Sequence, residues 1–275
     1  MNISILGNIC IDKNFTEKTS YLSVGSPCFF ITKIFQKKFN LSTTIISSYG
    51  KDFNRLINQH NLTLYPEKPT NKLTLIYHNK IINKKRYQKV FNQKTAQILI
   101  PLNLALKKNL KKTDIFFFAP LTPFYKKNYI KAVLSNIKKN ALKIFLPQGY
   151  FRKFIRHKVK ERNFYEKGLL SFFDFVIVSH QDHKNMLSLA KRWAKRTQII
   201  VTLAEKGVIY FYKNISIYES VKAVKPEDII DSIGAGDIFA AAFAYQFYQN
   251  KDIKSSLKFA NKIARESLFY PSKDL

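Results

Sequence analysis

The segment DSIGAGD, residues 231–237, carries the clearest chemical signal in the sequence. It runs directly into an Ala-rich apolar stretch that predicts a helix. Gly234, Ala235 and Gly236 would leave backbone N–H groups uncovered at the start of that helix, where the dipole favours an anion. Asp237 lies in the first turn, where a carboxylate could accept the proton of a hydroxyl that attacks a bound phosphoryl group. The same spacing is equally typical of a glycine-rich turn with an ordinary first-turn acid, so both interpretations stay open.

The segments that would position this motif alternate between short apolar runs and helical stretches. Continuous apolar runs predict an α/β fold with a mostly parallel central sheet covered by helices on both faces. The predicted strands are 3–7, 43–50, 114–120, 142–149, 174–179 and 198–204, followed by an antiparallel pair at 208–212 and 215–218. The predicted helices run from a Ser26-Pro27 start to about Phe39, briefly from Asp52, and over about 234–249 and 252–268.

Residues 72–91 have a period of two rather than 3.6, which predicts a β-hairpin that turns near Asn79-Lys80. We interpret it as a small lid at about 70–92, inserted in a single domain that spans 1–275. The exposed edge of such a lid could pair two subunits into a homodimer, although edge lysines oppose this.

Charge and composition limit which kinds of binding partner can be expected. The formal net charge is +29, but 39 of the 47 basic residues are lysine. The amino acids with AT-rich codons (Phe, Tyr, Met, Ile, Asn, Lys) make up 132 of 275 residues, so a biased genome accounts for much of this charge. Lysine is also a poorer bidentate phosphate ligand than arginine, so we expect no nucleic-acid partner.

The basic side chains are concentrated in residues 84–160, where 20 of them face a single acid, Asp114. Within this stretch and just beyond it, the run RKFIRHKVKER (152–162) is interpreted as a helix with a solvated basic face. Two cysteines, Cys10 and Cys28, provide no disulfide framework, and no apolar run approaches the ~18 residues of a membrane span. We therefore expect a cytoplasmic protein without a membrane segment.

Seven further segments, in order along the chain, accompany DSIGAGD in resembling one family, the ribokinase or pfkB-type carbohydrate kinases. DSIGAGD is similar to that family's D-x-x-GAGD signature. LGNICID resembles its opening strand, VGSPCFF the start of its first helix, and SYGKDF a following turn. PTNKLTLIYHNKIINKKRYQ resembles the β-lid and LPQGYFR the PQG loop of a subset, VSHQD an S-x-x-E/D motif, and VTLAEKGV the VT-x-G-x-x-G motif. GNICID and GSPCFF also show some likeness to inositol kinases.

The resemblance implies a ribokinase-like fold and an ATP-dependent kinase that phosphorylates a hydroxyl of a small polyol: a sugar, sugar phosphate or cyclitol. It implies Mg²⁺ as a cofactor and leaves a monovalent-cation requirement open. The implied roles are general base for Asp237, anion hole for the amides of Gly234, Ala235 and Gly236, Mg²⁺ binding through water for Asp182, nucleotide binding for Thr202, Gly207 and Asn261, and acceptor binding for Asp12, Gly25 and Arg152.

Two departures from the family pattern lie at positions expected to face a ligand. Phe29 stands where sugar-specific members often place an asparagine, and it cannot hydrogen-bond a sugar hydroxyl. Ala204 replaces a glycine beside the nucleotide, a small change that we expect to leave binding intact. Two alternatives stay open: a nucleoside kinase of the same fold, and a catalytically degenerate protein that binds anionic partners through its basic surface.

Overall fold

The computed structural model describes residues 1–15, 20–82, 85–164 and 167–271. In chain order its strands are β1 (Ile3–Gly7), β2 (Cys10–Phe15), β3 (Ser20–Gly25), β4 (Thr43–Ile46), β5 (Leu64–Tyr65), β6 (Ile76–Ile82), β7 (Lys85–Phe91), β8 (Ile115–Ala119), β9 (Leu142–Phe145), β10 (Arg152–Ile155), β11 (Lys158–Glu161), β12 (Phe175–Ser179), β13 (Gln198–Thr202), β14 (Val208–Tyr212) and β15 (Ile215–Glu219). Its helices are α1 (Pro27–Phe39), α2 (Asn54–His60), α3 (Gln93–Ala96), α4 (Leu104–Lys111), α5 (Lys127–Leu134), α6 (Lys167–Leu170), α7 (Met186–Trp193), α8 (Ala235–Asn250) and α9 (Ile253–Ser267).

Nine of these strands form the main sheet, in the order β15-β14-β13-β12-β9-β8-β1-β4-β5. Neighbours from β13 through β5 run parallel, whereas β14 and β15 are antiparallel additions at one edge. The predicted α/β fold with a mostly parallel sheet is confirmed. Because the parallel strands end at one edge, the loops that follow β1, β8, β9, β12 and β13 meet there, which is where open α/β sheets bind ligands.

Helices cover both faces of the sheet, as strand β8 illustrates. Ile115 and Phe117 point to one face and pack in a core with residues of α1, α8 and α9. Phe116 and Phe118 point to the other face and pack with residues of α4, α5 and α7. All four side chains are fully buried, which explains why the strand reads as an unbroken apolar run rather than an alternating one.

Helix α1 begins and ends as the sequence predicts. The Ser26 hydroxyl accepts a hydrogen bond from the Phe29 N–H at 3.3 Å, and Pro27 occupies the first turn. Asn40 ends the helix in the left-handed conformation, with its N–H donating to the Phe35 carbonyl. Helix α1 then packs against α8, where Phe39 stacks on Tyr245 with ring centroids 3.9 Å apart.

Across the described residues, no helix is both long and apolar enough to cross a bilayer.

The second sheet, which we call the lid sheet, has the order β10-β11-β7-β6-β2-β3. The predicted hairpin forms its centre, but the predicted turn near Asn79-Lys80 is wrong. Asn79 lies opposite Gln88 and Ile82 opposite Lys85, so pairing continues to residues 83–84, which are outside the described part of the chain. Asn79 stays in the strand because its side chain finds hydrogen-bond partners on both neighbouring strands.

The predicted helix at 152–162 is also wrong, because strands β10 and β11 form a second hairpin there. The spacing of apolar residues in this run is compatible with the period of two of a strand as well as with the period of 3.6 of a helix. Phe154 and Val159 lie opposite each other and pack against a small core that includes Tyr77. Pairing of β11 with β7 then extends the lid sheet to six strands, which makes it larger than one hairpin.

The backbone at Ala204 predicts a stabilising substitution. Ala204 is exposed and has a φ of 54°, in the left-handed region where a Cβ is unfavourable. We expect Ala204→Gly to raise the free energy of unfolding by about 0.5–1 kcal/mol, because relief of strain exceeds the added entropy of the unfolded chain.

Urea unfolding of both proteins measures this difference. The matched control is Ala132→Gly in helix α5, where an exposed alanine has ordinary helical surroundings and the same change should destabilise by about 1 kcal/mol. Equal destabilisation by the two substitutions would contradict the strained conformation at Ala204.

Candidate active site

A cleft of about 620 Å³ lies between the carboxyl edge of the main sheet and the lid sheet. It brings together residues that are far apart in the sequence. The predicted site residues that line it are Asp12, Arg152, Asp182, Thr202, Gly207, Gly234, Ala235, Gly236, Asp237 and Asn261. Gly25 is not among the lining residues but lies behind one of them, because a Cβ on Gly25 would overlap the Asp12 carboxylate.

The N-terminus of helix α8 opens into this cleft. Gly234 precedes the helix with a φ of 79°, and a Cβ there would meet the Phe30 ring at 2.5 Å. Both the backbone conformation and the lack of space therefore require glycine at this position. No side chain of the described residues caps the helix. At Gly236 a Cβ would meet nothing within 4 Å, which shows open space beside the first-turn amides. An uncapped helix start beside open space is suited to an anionic group.

Asp237 lies in the first turn of α8, at the junction of the helix and the cleft. Burial and, to a smaller extent, the nearby Asp182 carboxylate raise the pKa of its carboxyl to about 7, against the opposing effect of the Arg152 guanidinium. A carboxylate with a pKa near neutrality is suited to accepting a proton and releasing it again.

Asp182 is held by the turn that follows strand β12. The Ser179 N–H donates to Asp182 Oδ2 at 2.8 Å, and the Ser179 hydroxyl accepts from the Gln181 N–H at 3.1 Å. Burial raises the pKa of Asp182, while the Ser179 amide and the Arg152 charge lower it. Asp182 and Asp237 line the same small pocket at the base of the cleft.

The donor atoms at this pocket fit a magnesium ion. Among the described residues no three His, Cys, Asp or Glu side chains cluster as a metal cage. The pocket instead offers the two carboxylates of Asp182 and Asp237. Mg²⁺ is usually bound by one or two carboxylates while its other positions hold water and substrate phosphates, so this set suits Mg²⁺ better than a metal that needs an all-protein site.

The lid sheet supplies the opposite wall of the cleft. Asp12 on β2 accepts a weak hydrogen bond from the Cys10 thiol at 3.7 Å. The Arg152 guanidinium lies 5.6 Å from the centre of the Tyr77 ring, which supports it by a cation–π contact. Arg152 lines the same cleft as Asp182 and Asp237, and its positive charge opposes the rise in pKa of both carboxyls.

The far end of the cleft is a slot between the β14–β15 hairpin, the loop after it and helix α9. Asn261 ties α9 to the end of β15 by donating to the Glu219 carbonyl at 3.2 Å, and Arg265 ties it to the following loop by donating to the Lys222 carbonyl at 2.8 Å. The slot is mostly apolar, with walls from Val208, Val221, Ala223, Val224, Ile229, Ala264 and Leu268.

Some residues that line the cleft were not predicted from the sequence, and one expectation was wrong. Phe29, expected at the acceptor, is 1% exposed and packs against Phe30 and His60, because the first turn of α1 directs Phe30 to the cleft instead. Tyr77 and Gln88 also line the cleft. Their signal was the period of two in the predicted hairpin, which places both on one face.

Comparisons with known proteins show which family the chain belongs to. The model of the pfkB family of carbohydrate kinases matches residues 42–273. A cytidine kinase of Thermococcus kodakarensis is 22% identical over 180 residues, which cover 64% of this chain and 60% of that protein. A ribokinase of Lactococcus lactis is 25% identical over 135 residues, which cover 47% of this chain and 40% of that protein. These matches thus span less than two thirds of either relative.

Solved structures of low identity share the fold. A pyrophosphate-dependent kinase in the ribokinase family, complexed with a pyrophosphate analogue and myo-inositol, has a TM-score of 0.76 at 17% identity and covers 98% of this chain and 96% of its own. Ribokinase from Thermotoga maritima has a TM-score of 0.74 at 16% identity, with 98% and 94% covered. The predicted ribokinase-like fold is confirmed. The chain belongs to the pfkB family of carbohydrate kinases.

The burial of Asp237 predicts a pH-dependent cost in stability. In the unfolded chain its carboxyl ionises near the ordinary value of 3.8, whereas in the folded protein its pKa is about 7. Stability should therefore fall as pH rises through this window, and above it the folded protein carries the full cost of the buried charge. We expect Asp237→Asn to raise the melting temperature, and the gain to grow from pH 4 to pH 8.

Thermal unfolding in the presence of a chelator measures this gain. Asp228→Asn serves as the control, because Asp228 is exposed and does not line the cleft. A gain for Asp237→Asn that is the same at every pH would show that the Asp237 carboxyl is not desolvated.

Proposed function

We propose that the protein is an ATP-dependent kinase that transfers the γ-phosphoryl group to a hydroxyl of a small polyol: a sugar, sugar phosphate or cyclitol. One observation carries the proposal. The carboxylate of Asp237 lies in the first turn of a helix whose uncapped N-terminus faces open space in the cleft. This arrangement supports transfer of a phosphoryl group, bound at the start of the helix, to a hydroxyl whose proton Asp237 accepts.

The residues of the cleft divide the reaction between them. Asp237 accepts the proton of the attacking hydroxyl, for which a pKa near 7 is well suited. The amides that follow Gly234 stabilise the charge on the phosphoryl oxygens as it develops. Asp12 and Arg152 orient the acceptor from the lid side. Closure of the lid sheet over the cleft keeps water from the phosphoryl group and limits wasteful hydrolysis.

Asp182 would bind Mg²⁺ through water, close to the Asp237 carboxylate. When bound, this ion neutralises charge on the donor phosphates. Thr202 ends strand β13 beside this region, and Gly207 and Asn261 continue the cleft toward the apolar slot. The planar base of a nucleotide fits such a slot, which supports ATP as the donor.

Loss of the proposed base tests the activity. We expect Asp237→Asn to lower kcat about 10²- to 10⁴-fold, because the hydroxyl proton loses its acceptor. The measurement is ADP release from Mg-ATP with a panel of pentoses, hexoses, inositols and nucleosides. The nucleosides test the alternative acceptor class, which the likeness to the cytidine kinase favours.

Asp228→Asn is the matched control and should keep wild-type turnover. Turnover that persists in Asp237→Asn would contradict the assigned base. Absence of acceptor-stimulated turnover, together with salt-sensitive binding of nucleic acid, would favour the degenerate alternative.

The apolar slot predicts how the donor is recognised. Ala264 is half-buried on the wall of the slot, so Ala264→Phe should fill the space for a base. We expect KM for ATP to rise at least about tenfold while kcat changes little, as for loss of binding energy common to ground and transition states.

Lys262→Phe puts the same ring on an exposed position of α9 and should leave KM unchanged. Pyrophosphate is the comparison donor, because a solved neighbour is described as pyrophosphate-dependent. Efficient turnover with pyrophosphate, at the same rate in the wild-type protein and in Ala264→Phe, would contradict a nucleotide donor.

We further propose a homodimer through the outer face of the lid sheet, in a cytoplasmic protein. Strand alternation puts this face opposite the one that lines the cleft. Four large apolar side chains are exposed on it: Phe15, Leu22, Tyr87 and Ile155. Lys13 lies directly opposite Leu22, and lysines on this face would repel their counterparts in a second copy.

The double substitution Leu22→Ser, Tyr87→Ser should convert the dimer to a monomer of 32.1 kDa in light scattering. Leu104→Ser, at an 86% exposed leucine of α4, should not. Because of the lysines, the wild-type dimer should tighten as salt rises. A wild-type mass of one subunit under all conditions would contradict the proposal.

A further inference from the structure

Four side chains form a continuous line of hydrogen bonds across the lid sheet, which we call the amide ladder: Ser23, Asn14, Asn79 and Gln88. The Asn14 Nδ2 donates to the Ser23 hydroxyl at 3.0 Å, and the Asn79 Nδ2 donates to Asn14 Oδ1 at 2.9 Å. The Gln88 Nε2 donates to Asn79 Oδ1 at 2.8 Å. Asn14 is 5% exposed and Asn79 is 2% exposed, so the centre of the ladder is shielded from water.

Strand register places the ladder on the cleft side of the lid. Asn14 lies opposite Asn79, and Asn79 lies opposite Gln88, on three neighbouring strands. Side chains two residues apart on a strand share a face, so Asn14 lies on the face of Asp12, and Asn79 on that of Tyr77. Asp12, Tyr77 and Gln88 all line the cleft. The ladder is therefore the row next to the proposed acceptor site.

The ladder has a direction. Each amide N–H points to the next oxygen toward Ser23, so Gln88 is its last member at the cleft end. A reversed Gln88 amide would set its oxygen against Asn79 Oδ1, which is itself an acceptor. The Nε2 is thus held toward the sheet. Gln88 Oε1 has no hydrogen-bond partner in the part of the chain that the structure describes, and it is left as an acceptor at the cleft wall.

We propose that Gln88 determines acceptor specificity, by accepting a hydrogen bond from a hydroxyl of the acceptor that is not the one phosphorylated. This inference rests on the proposed kinase function. With the Asp12 carboxylate, the lid wall presents two hydrogen-bond acceptors, which together select a polyol with at least two free hydroxyl donors on its lid-facing side. Asn79 and Asn14 are positioning residues, since they act only through the orientation of Gln88.

An acceptor that lacks this hydroxyl would leave Gln88 Oε1 unpaired in a closed cleft. An unpaired, desolvated polar group costs about 1–3 kcal/mol, equivalent to roughly 5- to 150-fold in kcat/KM. Discrimination against one deoxy position should therefore depend on Gln88. Discrimination against deoxy positions that face other walls of the cleft should not depend on Gln88.

The test compares the best acceptor of the wild-type protein with its single-deoxy analogues. We expect wild-type kcat/KM to fall at least about tenfold for one analogue, and Gln88→Leu to abolish that difference. Asn79→Leu should raise KM for the full acceptor with little change in kcat, and the double variant should be no worse than Gln88→Leu alone. Gln59→Leu, at an exposed glutamine of α2, is the matched control, and melting temperatures report the folding of every variant.

The outcomes separate this inference from the proposed function. Turnover by the wild-type protein, with deoxy discrimination unchanged in Gln88→Leu, would overturn the role of Gln88 and leave the kinase intact. Additive losses in the double variant would overturn the role of the ladder in holding Gln88. Absence of turnover with every acceptor would overturn the kinase and the inference together.

Discussion

At the start of helix α8 the backbone turns through Gly234, which lies in the left-handed region and directly against the Phe30 ring. This contact sets where the helix begins, and the position of Asp237 follows from it. The helix itself is apolar on nearly all sides and is buried between α1, α9 and the main sheet, so its N-terminus cannot shift without disturbing the core. The chemistry of the cleft therefore depends on packing at one glycine. A side chain at Gly234 would both strain the backbone and displace Phe30.

Charge at the base of the cleft is balanced between two elements. The carboxylates of Asp182 and Asp237 come from the main sheet side and repel each other, whereas Arg152 comes from the lid sheet. Lid position and the protonation of Asp237 are thus coupled, since movement of the lid away from the main sheet would remove the positive charge that favours the ionised base. In the proposed reaction, this coupling would link closure of the cleft to ionisation of the Asp237 carboxyl.

Much of this arrangement could be predicted from the sequence. Buried parallel strands read as apolar runs, the Ser26-Pro27 pair marked the start of α1, and the DSIGAGD motif marked the helix that bears Asp237. The errors lie where local pattern was ambiguous. Residues 152–162 fit a helix and a hairpin equally, and only pairing with β7 decides between them. The orientation of Gln88 depends on hydrogen-bond partners on neighbouring strands that are distant in sequence. Periodicity predicts which face of the sheet each residue lies on, but not which residues on that face are neighbours.

In the proposed reaction, the open start of α8 receives the transferring phosphoryl group. The chain has only eight glycines, so ¹⁵N-glycine labelling gives a spectrum simple enough to assign, with Gly236→Ala identifying one resonance. The measurement is that spectrum with Mg-ADP and acceptor, before and after addition of vanadate as a phosphoryl mimic. A large shift of the Gly236 amide on vanadate addition, with Gly168 on α6 unmoved, is the predicted result. Binding of vanadate that shifts the amide resonances of other glycines and leaves that of Gly236 unchanged would contradict this role of the helix start.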